Sequence, residues 1–440
     1  MDSRTNEPPA TGPGDARARA SAGARGGLPS AQAPASARAL FGAVEFRRLW
    51  TIGMLTFIVR WLEILAYGVY GYAQTGSAVI VAMLTMLRVL PMGLFGMLFG
   101  TLAARVSRRR GVLTYLWSSW LTCSVLLLIA ALGMLEIWHL AVASFVNGAA
   151  WAADNPFRRA MIGDAVGPLN MGMAMTLDVG ASNASRLAGP ALGGLLLAHA
   201  GIVGIFVFGL LAYSLALLAA RATARAPESD ARAAGGLRQA MVEGLRAARS
   251  NPRLAGALWV TIVFNLFGWP VTSMVPVIAR DQLGLDADGT GLLASMDGLG
   301  ALIAAVALTR YARPSDYGRL YIGGVLLYLG MVGLFALAPW TLLAGTALYG
   351  MGTGQAAFAV MQATLIYLAA TPSTRTQAMG LLTMCIGLGP LGFVSIGALA
   401  DFLSAPLAAF ITALVGVVAM IASWPWWRAV WREPPPDTGC

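Results

Sequence analysis

From residue 49 onward the chain alternates long apolar blocks with short polar breaks. The blocks cover 49–74, 77–103, 112–134, 137–156, 172–199, 202–220, 254–279, 289–310, 317–337, 340–369, 376–400 and 405–427. As an α-helix rising ~1.5 Å per residue, a block of about twenty residues crosses the roughly 30 Å of bilayer hydrocarbon. The pattern predicts an all-α polytopic membrane protein with twelve transmembrane helices.

The flanks and breaks organise these spans. Residues 1–44 are rich in Ala, Arg, Gly, Pro and Ser and poor in large apolar side chains, which predicts a disordered cytoplasmic tail. The tail has no compact apolar core of a secretory signal, so the first long helix is expected to direct insertion. The longest internal break, 221–253, separates a six-helix block at 45–220 from another at 254–428, with 429–440 as the C-terminal tail. Within it, Leu237, Ala240, Met241, Leu245 and Ala248 share one helical face while Arg238, Glu243, Arg246 and Arg249 occupy others. That predicts an amphipathic linker helix, lying in the membrane plane or solvated.

Arginine marks every second break. It occurs at Arg47 and Arg48, at Arg105, Arg108, Arg109 and Arg110, at Arg158 and Arg159, through 221–253, at Arg313, at Arg375 and at Arg432. The breaks around Gly76, Glu136, Ala200, Pro339 and Ser404 have none, and Arg280 is offset by Asp281, Asp286 and Asp288. Cytoplasmic loops near spans carry the excess of positive charge, so both termini are expected in the cytoplasm.

Composition agrees: 58% of residues are hydrophobic and 11% charged, outside the soluble globular range. The net charge of +10 is scattered between apolar blocks instead of gathered on one solvated face, which argues against nucleic-acid binding. No GxxxxGK[ST] loop is present, so no nucleotide partner is expected. Cys123, Cys385 and Cys440 have no ligand spacing; neither metal, disulfide nor cofactor is expected.

The two six-helix blocks share a pattern. "RAMIGDAVGPLNMGMAM" and "ATLIYLAATPSTRTQAM" follow the fourth and tenth spans, and each precedes a Gly-Pro helix, "LAGPALGG" at 187–194 and "GLGPLGFVSIG" at 387–397. Over about 45–428 the sequence resembles the major facilitator superfamily. Its signature loop G-x-L-A-D-R-x-G-R-R is matched by Gly100, Leu102, Ala103, Arg105, Arg108 and Arg109, with Ala104 in place of the acid and Ser107 in place of the second glycine. In the family the acid helps hold the cytoplasmic side closed, and the resemblance leaves open whether that gate works the same way without it. "GALAD" at 397–401 imitates the same signature, but the span count puts Asp401 at the external side and the match reads as coincidence.

A Gly-Pro motif typical of exporters is matched by Gly180, Gly189, Pro190, Gly193 and Gly194, and is expected to kink the fifth span and pack it closely against another. "FRRLWTIG", "LRVLP", "NPFRRAMIGDAVGP" and "FNLFGWPVTSMVPVIARDQLGL" resemble the branch that includes the enterobactin exporter and macrolide efflux pumps. The resemblance implies two rocking six-helix bundles, export of a drug or siderophore by proton antiport, and a bacterial inner-membrane location.

Ionisable residues inside spans are costly and need a partner or a wet cavity. Arg60 and Glu63, at i,i+3 in the first span, are close enough to pair. Arg88 lies at similar depth in the second span, Asp178 and Arg186 in the fifth, and Asp297 in the eighth. Glu63, Asp297 and Asp178 are the proton-coupling candidates. Glu63 is alternatively a permanent ion pair with Arg60 or Arg88, and Asp297 alternatively pairs with a neighbouring span. Arg186, one turn before Gly189-Pro190, is expected to bond carbonyls freed by the proline, or else to touch substrate. Proton-antiporting relatives usually carry an arginine in the fourth span, where this chain reads "SFVNGAAWA". Asn147, Trp151, Asn183, Asn265, Trp269, Tyr349, Gln355 and Gln362 are candidates to line a cavity or to pack helices. His139 and His199 lie near the outer side with no nucleophile or metal motif, so no enzyme is expected. The expected partners are a small molecule, protons and the bilayer. An importer of a small solute and a non-transporting receptor or scaffold are the competing readings.

Overall fold

The computed structural model describes residues 36–224, 245, 246, 248–370 and 375–432, which are helical with no strand among them. Most of the amphipathic linker helix expected in 221–253 lies outside the described residues, as do 1–35 and 433–440 of the two tails. A short α1 (Ala37–Gly42) leads into α2 (Val44–Thr75), α3 (Ala78–Arg105) and α4 (Arg108–Ala131). The 85-residue stretch Ile137–Arg221 follows. Straight, it would be about 130 Å long, more than four hydrocarbon thicknesses. It breaks at Gly167 (φ 73°) and Gly201 (φ 62°), where only a residue without Cβ adopts a positive φ at no steric cost. Pro168 then starts a new helix, a position where its missing N–H has no intrahelical partner anyway. The parts are α5 (137–166), α6 (168–200) and α7 (202–221).

In the second half, α8 (Pro252–Val263) runs through a π-helical turn (Phe264–Gly268) and a 3-10 turn (Trp269–Met274) into α9 (Val275–Asp281). Pro270 and Pro276 cannot donate backbone hydrogen bonds, which accounts for irregular winding there. Then come α10 (Ala287–Tyr311), α11 (Tyr317–Ala336), α12 (Thr341–Ala369), α13 (Arg375–Ile386), α14 (Gly389–Phe402), α15 (Ala405–Ala422) and α16 (Trp424–Arg432). Among the described residues, nine stretches are long and apolar enough to cross a membrane.

Three boundaries differ from the sequence expectation. The expected tail 1–44 contains α1, anchored by buried Leu40. The fourth span does not stop at residue 156: α5 continues to 166 and carries Asp154 and Arg158 into the interior. The last block, 405–427, ends at Ser423, and α16 is a separate helix whose backbone at Trp426 and Val430 packs on Gly256 and Gly318.

Two buried cores form. One gathers apolar side chains between Leu40 and Ala220, the other those between Ala248 and Val430. The second also includes Ala78, Val81 and Ala82 of α3, so that helix spans the boundary between the halves. Small residues let the halves touch there. A Cβ on Gly93 would stand 3.0 Å from Gly387 Cα, and one on Gly397 would stand 2.7 Å from Ala82 Cβ. The α6–α10 contact is similar, a Cβ on Gly194 falling 2.9 Å from Gly291 Cα.

Candidate functional site

Eight helical elements from both halves line a partly open cavity. Trp61 of α2, Trp151 of α5 and Trp269 of the 3-10 turn form much of its apolar wall, and Arg88 of α3, Arg186 of α6 and Asp297 of α10 supply its charge. Gly189 makes room for the first tryptophan, since a Cβ there would lie 2.6 Å from Trp61 Cβ. Trp151 and Trp269 were expected here from the sequence. Trp61 was not, because one tryptophan on a long apolar helix has no pattern that separates a cavity wall from a lipid face.

Two ion pairs, one buried and one partly buried, border the cavity, and each is among the alternatives expected from the sequence. Glu63 pairs with Arg88 across α2 and α3, with Arg88 Nη2 donating to Glu63 Oε2 at 2.7 Å. Asn147 of α5 donates to the same oxygen at 3.1 Å. The expected Arg60–Glu63 pair does not form. Arg60 instead lies over the rings of Trp151 and Phe57, at 4.5 and 5.1 Å. The second pair joins the halves: Arg186 donates to Asp297 and, at 2.5 Å, to Gln355 Oε1 of α12. Arg186 therefore does not bond carbonyls near Pro190. α6 runs through that proline with helical dihedrals. Asp297 has an arginine partner that no single-helix spacing could reveal.

The polar atoms of these pairs are incompletely used. Arg88 Nε and Nη1, Arg186 Nε, Asn147 Oδ1 and Asp297 Oδ1 are buried without a hydrogen-bond partner. A buried unmatched polar atom costs about 1–3 kcal/mol, more when charged, so such sites stand out as places where a proton, water or ligand would be held.

A third ionic cluster was not evident in the sequence. Arg158 is fully buried, bonding Asp154 at 2.8 and 3.0 Å and Asp178 at 2.6 Å; Asp178 also accepts from half-exposed Arg159 at 3.0 Å. Tyr115 adds a hydrogen bond to Asp154 at 2.6 Å. Asp178, expected as a coupling candidate, thus gives both oxygens to arginines and lines neither the main cavity nor the two smaller recesses that adjoin Arg88. The available signal was the i,i+4 spacing of Asp154 and Arg158, obscured by placing Arg158 in a loop.

The remaining expected residues divide. Asn265 donates to the Thr261 carbonyl at 2.8 Å and Gln362 to the Thr261 hydroxyl at 3.1 Å, a network inside the second half. Asn183 and Tyr349 line neither the main cavity nor those recesses. Of the Gly-Pro motif, Gly189 and Gly193 admit α2 and Gly194 admits α10, whereas a Cβ on Gly180 meets nothing within 4 Å. In the loop motif, Gly100 is equally unconstrained, Leu102 is half-buried, and the Arg105 side chain lies outside the described residues. Arg108 binds Asp164, and Arg109 donates to the Arg221 carbonyl at 2.6 Å. Those arginines tie the start of α4 to the ends of α5 and α7.

At the other end of α3 lies Asp401. It accepts from the Ser77 hydroxyl at 2.7 Å and from the Val79 amide at 3.2 Å, capping the first turn of α3 from the other half. A carboxylate at a helix N-terminus satisfies free amides and complements the helix dipole. Tyr72 donates to Asp281 nearby, a second link across the halves.

Residues 35–429 match the family model described as transmembrane secretion effector. A search of the curated proteins gave no significant match. Among solved structures, a bacterial homolog of the human lysosomal transporter Spinster, inward-facing and unoccupied, superposes with a TM-score of 0.70 at 15% identity, covering 90% of this chain and 98% of that one. A POT family transporter in complex with a thioalcohol-conjugated peptide gives a TM-score of 0.71 at 12% identity, with coverages of 88% and 96%. The nucleoside transporter NupG gives 0.64 at 14% identity, with coverages of 87% and 99%.

Proposed function

Because the chain belongs to the transmembrane secretion effector family of the major facilitator superfamily, we propose that this membrane transporter is a proton-coupled exporter of an amphipathic organic molecule, such as a drug or siderophore. It works by alternating access in a bacterial inner membrane, both termini in the cytoplasm. Twelve spans follow when Ile137–Arg221 counts as three helices and the 29-residue α12 is added to the other candidates. The basic loops at the face bearing the termini support the orientation.

The observation that carries this reading is the placement of the Arg186–Asp297 pair, on a cavity wall and across the two halves. Rocking of the halves must break or turn that pair. Protonating Asp297 removes its negative charge and frees Arg186, which couples a proton to the change of access. Asp297 is the leading coupling carboxylate and Glu63, paired within the first half, the second. Asp178 holds the first half together, its oxygens both committed to arginines.

The test is flux of candidate siderophores and macrolides into inside-out vesicles. Accumulation that collapses with an uncoupler and is abolished by Asp297→Asn, at normal protein levels, supports the reading. Uptake in the reverse direction makes the protein an importer, and normal transport by both Asp297→Asn and Glu63→Gln rejects these coupling sites.

A further inference from the structure

Beside the main cavity, a smaller polar recess opens within the first half. The two spaces share Arg88 and Trp151 as walls. Arg60, Thr56, Ser119 and Tyr213 contribute most of the other polar groups of the recess. Arg60 is only 7% exposed, and among the described residues no carboxylate lies within salt-bridge distance of it. Asp154, which also borders the recess, is committed to Arg158 and Tyr115. Arg88 uses Nη2 for Glu63 and leaves Nε and Nη1 unmatched.

The balance of charge points the same way. The three buried carboxylates of this cluster, Glu63, Asp154 and Asp178, are bonded to Arg88, Arg158 and Arg159, which leaves Arg60 as the buried arginine of the set with no carboxylate bonded to it. Cation–π contact with Trp151 and Phe57 offsets part of the cost of burying Arg60, but it supplies no counter-charge. Two guanidinium groups beside hydroxyls have the chemistry that recognises a compact anion. Next to it, past Trp151, stands an apolar space walled by tryptophans.

We infer that the transported molecule is an aromatic organic anion, its acidic head held between Arg60 and Arg88 in the recess and its ring system against Trp61, Trp151 and Trp269. This rests on the cavity being the transport site. It narrows the substrate class from amphipathic molecules in general to those carrying a carboxylate or similar oxyanion within one ring length of an aromatic body.

The experiment is equilibrium binding of tritiated 2-naphthoate and 2-naphthamide to the full-length protein in nanodiscs. The acid should bind about tenfold or more tightly than its neutral amide. Arg60→Gln should remove that preference while naphthamide affinity stays unchanged, which also reports that the variant is folded. Arg159→Gln, altering a half-exposed charge outside the recess, should keep the preference. Equal affinity for acid and amide, no naphthoate binding at millimolar concentration, or a preference that survives Arg60→Gln overturns the inference. Arg60-dependent binding of chloride or inorganic phosphate without naphthoate binding also overturns it, making the recess an inorganic-anion site. Vesicle flux separates the two readings: selective acid binding without flux keeps the site and rejects transport, and flux confined to neutral amphiphiles does the reverse.

Discussion

Arg158 and Arg159 are sequence neighbours with opposite fates, and the contrast shows how burial sets what a charge is worth. Arg158 is fully enclosed and satisfies two carboxylates, while Arg159 is half-exposed and shares one of them. Removing one partner of a buried pair leaves an uncompensated charge and costs about 3–5 kcal/mol, whereas losing half-exposed Arg159 leaves Asp178 still bonded to Arg158. Arg158→Met should therefore sharply reduce the thermal stability of the purified protein, and Arg159→Met should change it little. Similar melting temperatures for the two variants would falsify the assignment of Arg158 as the keystone of that cluster. Neither role was readable from "NPFRRAM", because adjacent arginines differ in helical direction by about 100° and only the packing of α2, α4 and α6 decides which one turns inward.

At the scale of elements, glycine spacing matters where two helices meet and nowhere else. A Cβ on Gly194 would fall 2.5 Å from the Ala287 carbonyl of the other half, whereas one on Gly180 finds open space. Gly194→Leu should separate α6 from α10 and suppress transport with the protein still inserted, and Gly180→Ala should leave flux at the wild-type level. Vesicle transport normalised to protein reads both. The Gly-Pro motif was legible as a packing signal, but its partners were not: Gly189 and Gly193 face α2 and Gly194 faces α10. α6 continues through Pro190 without a break, because neighbouring helices and local adjustment can re-satisfy the backbone group that a proline frees in a membrane helix.

Across the whole molecule, the acid absent from the loop motif at Ala104 has a counterpart at Asp401, at the other end of the halves' interface. This capping contact favours closure of the face opposite the termini, and a charge at a helix N-terminus is worth about 0.3–1 kcal/mol. Asp401→Ala should shift the population toward opening at that face by up to about fivefold. The readout is labelling of Ala78→Cys, buried against the second half, by a membrane-impermeant maleimide. Labelling should quicken in the Asp401→Ala background, and an unchanged rate removes Asp401 from the gate.

Runs of apolar residues near membrane length, and arginine in alternate breaks, determined by themselves that the chain is a helical multi-pass membrane protein; the facilitator family entered through the resemblance of its loop and Gly-Pro motifs. Hydrocarbon thickness and the cost of bare backbone in lipid act locally on each segment, so such features need no knowledge of neighbours. Which charges meet was decided only by the tertiary structure. Glu63 chooses Arg88 over Arg60, Arg186 crosses to Asp297, and Arg60 is left over beside Trp151. Each of those outcomes depends on how helices distant in sequence are rotated about their axes, and a long apolar helix with a nearly uniform surface carries little record of that rotation.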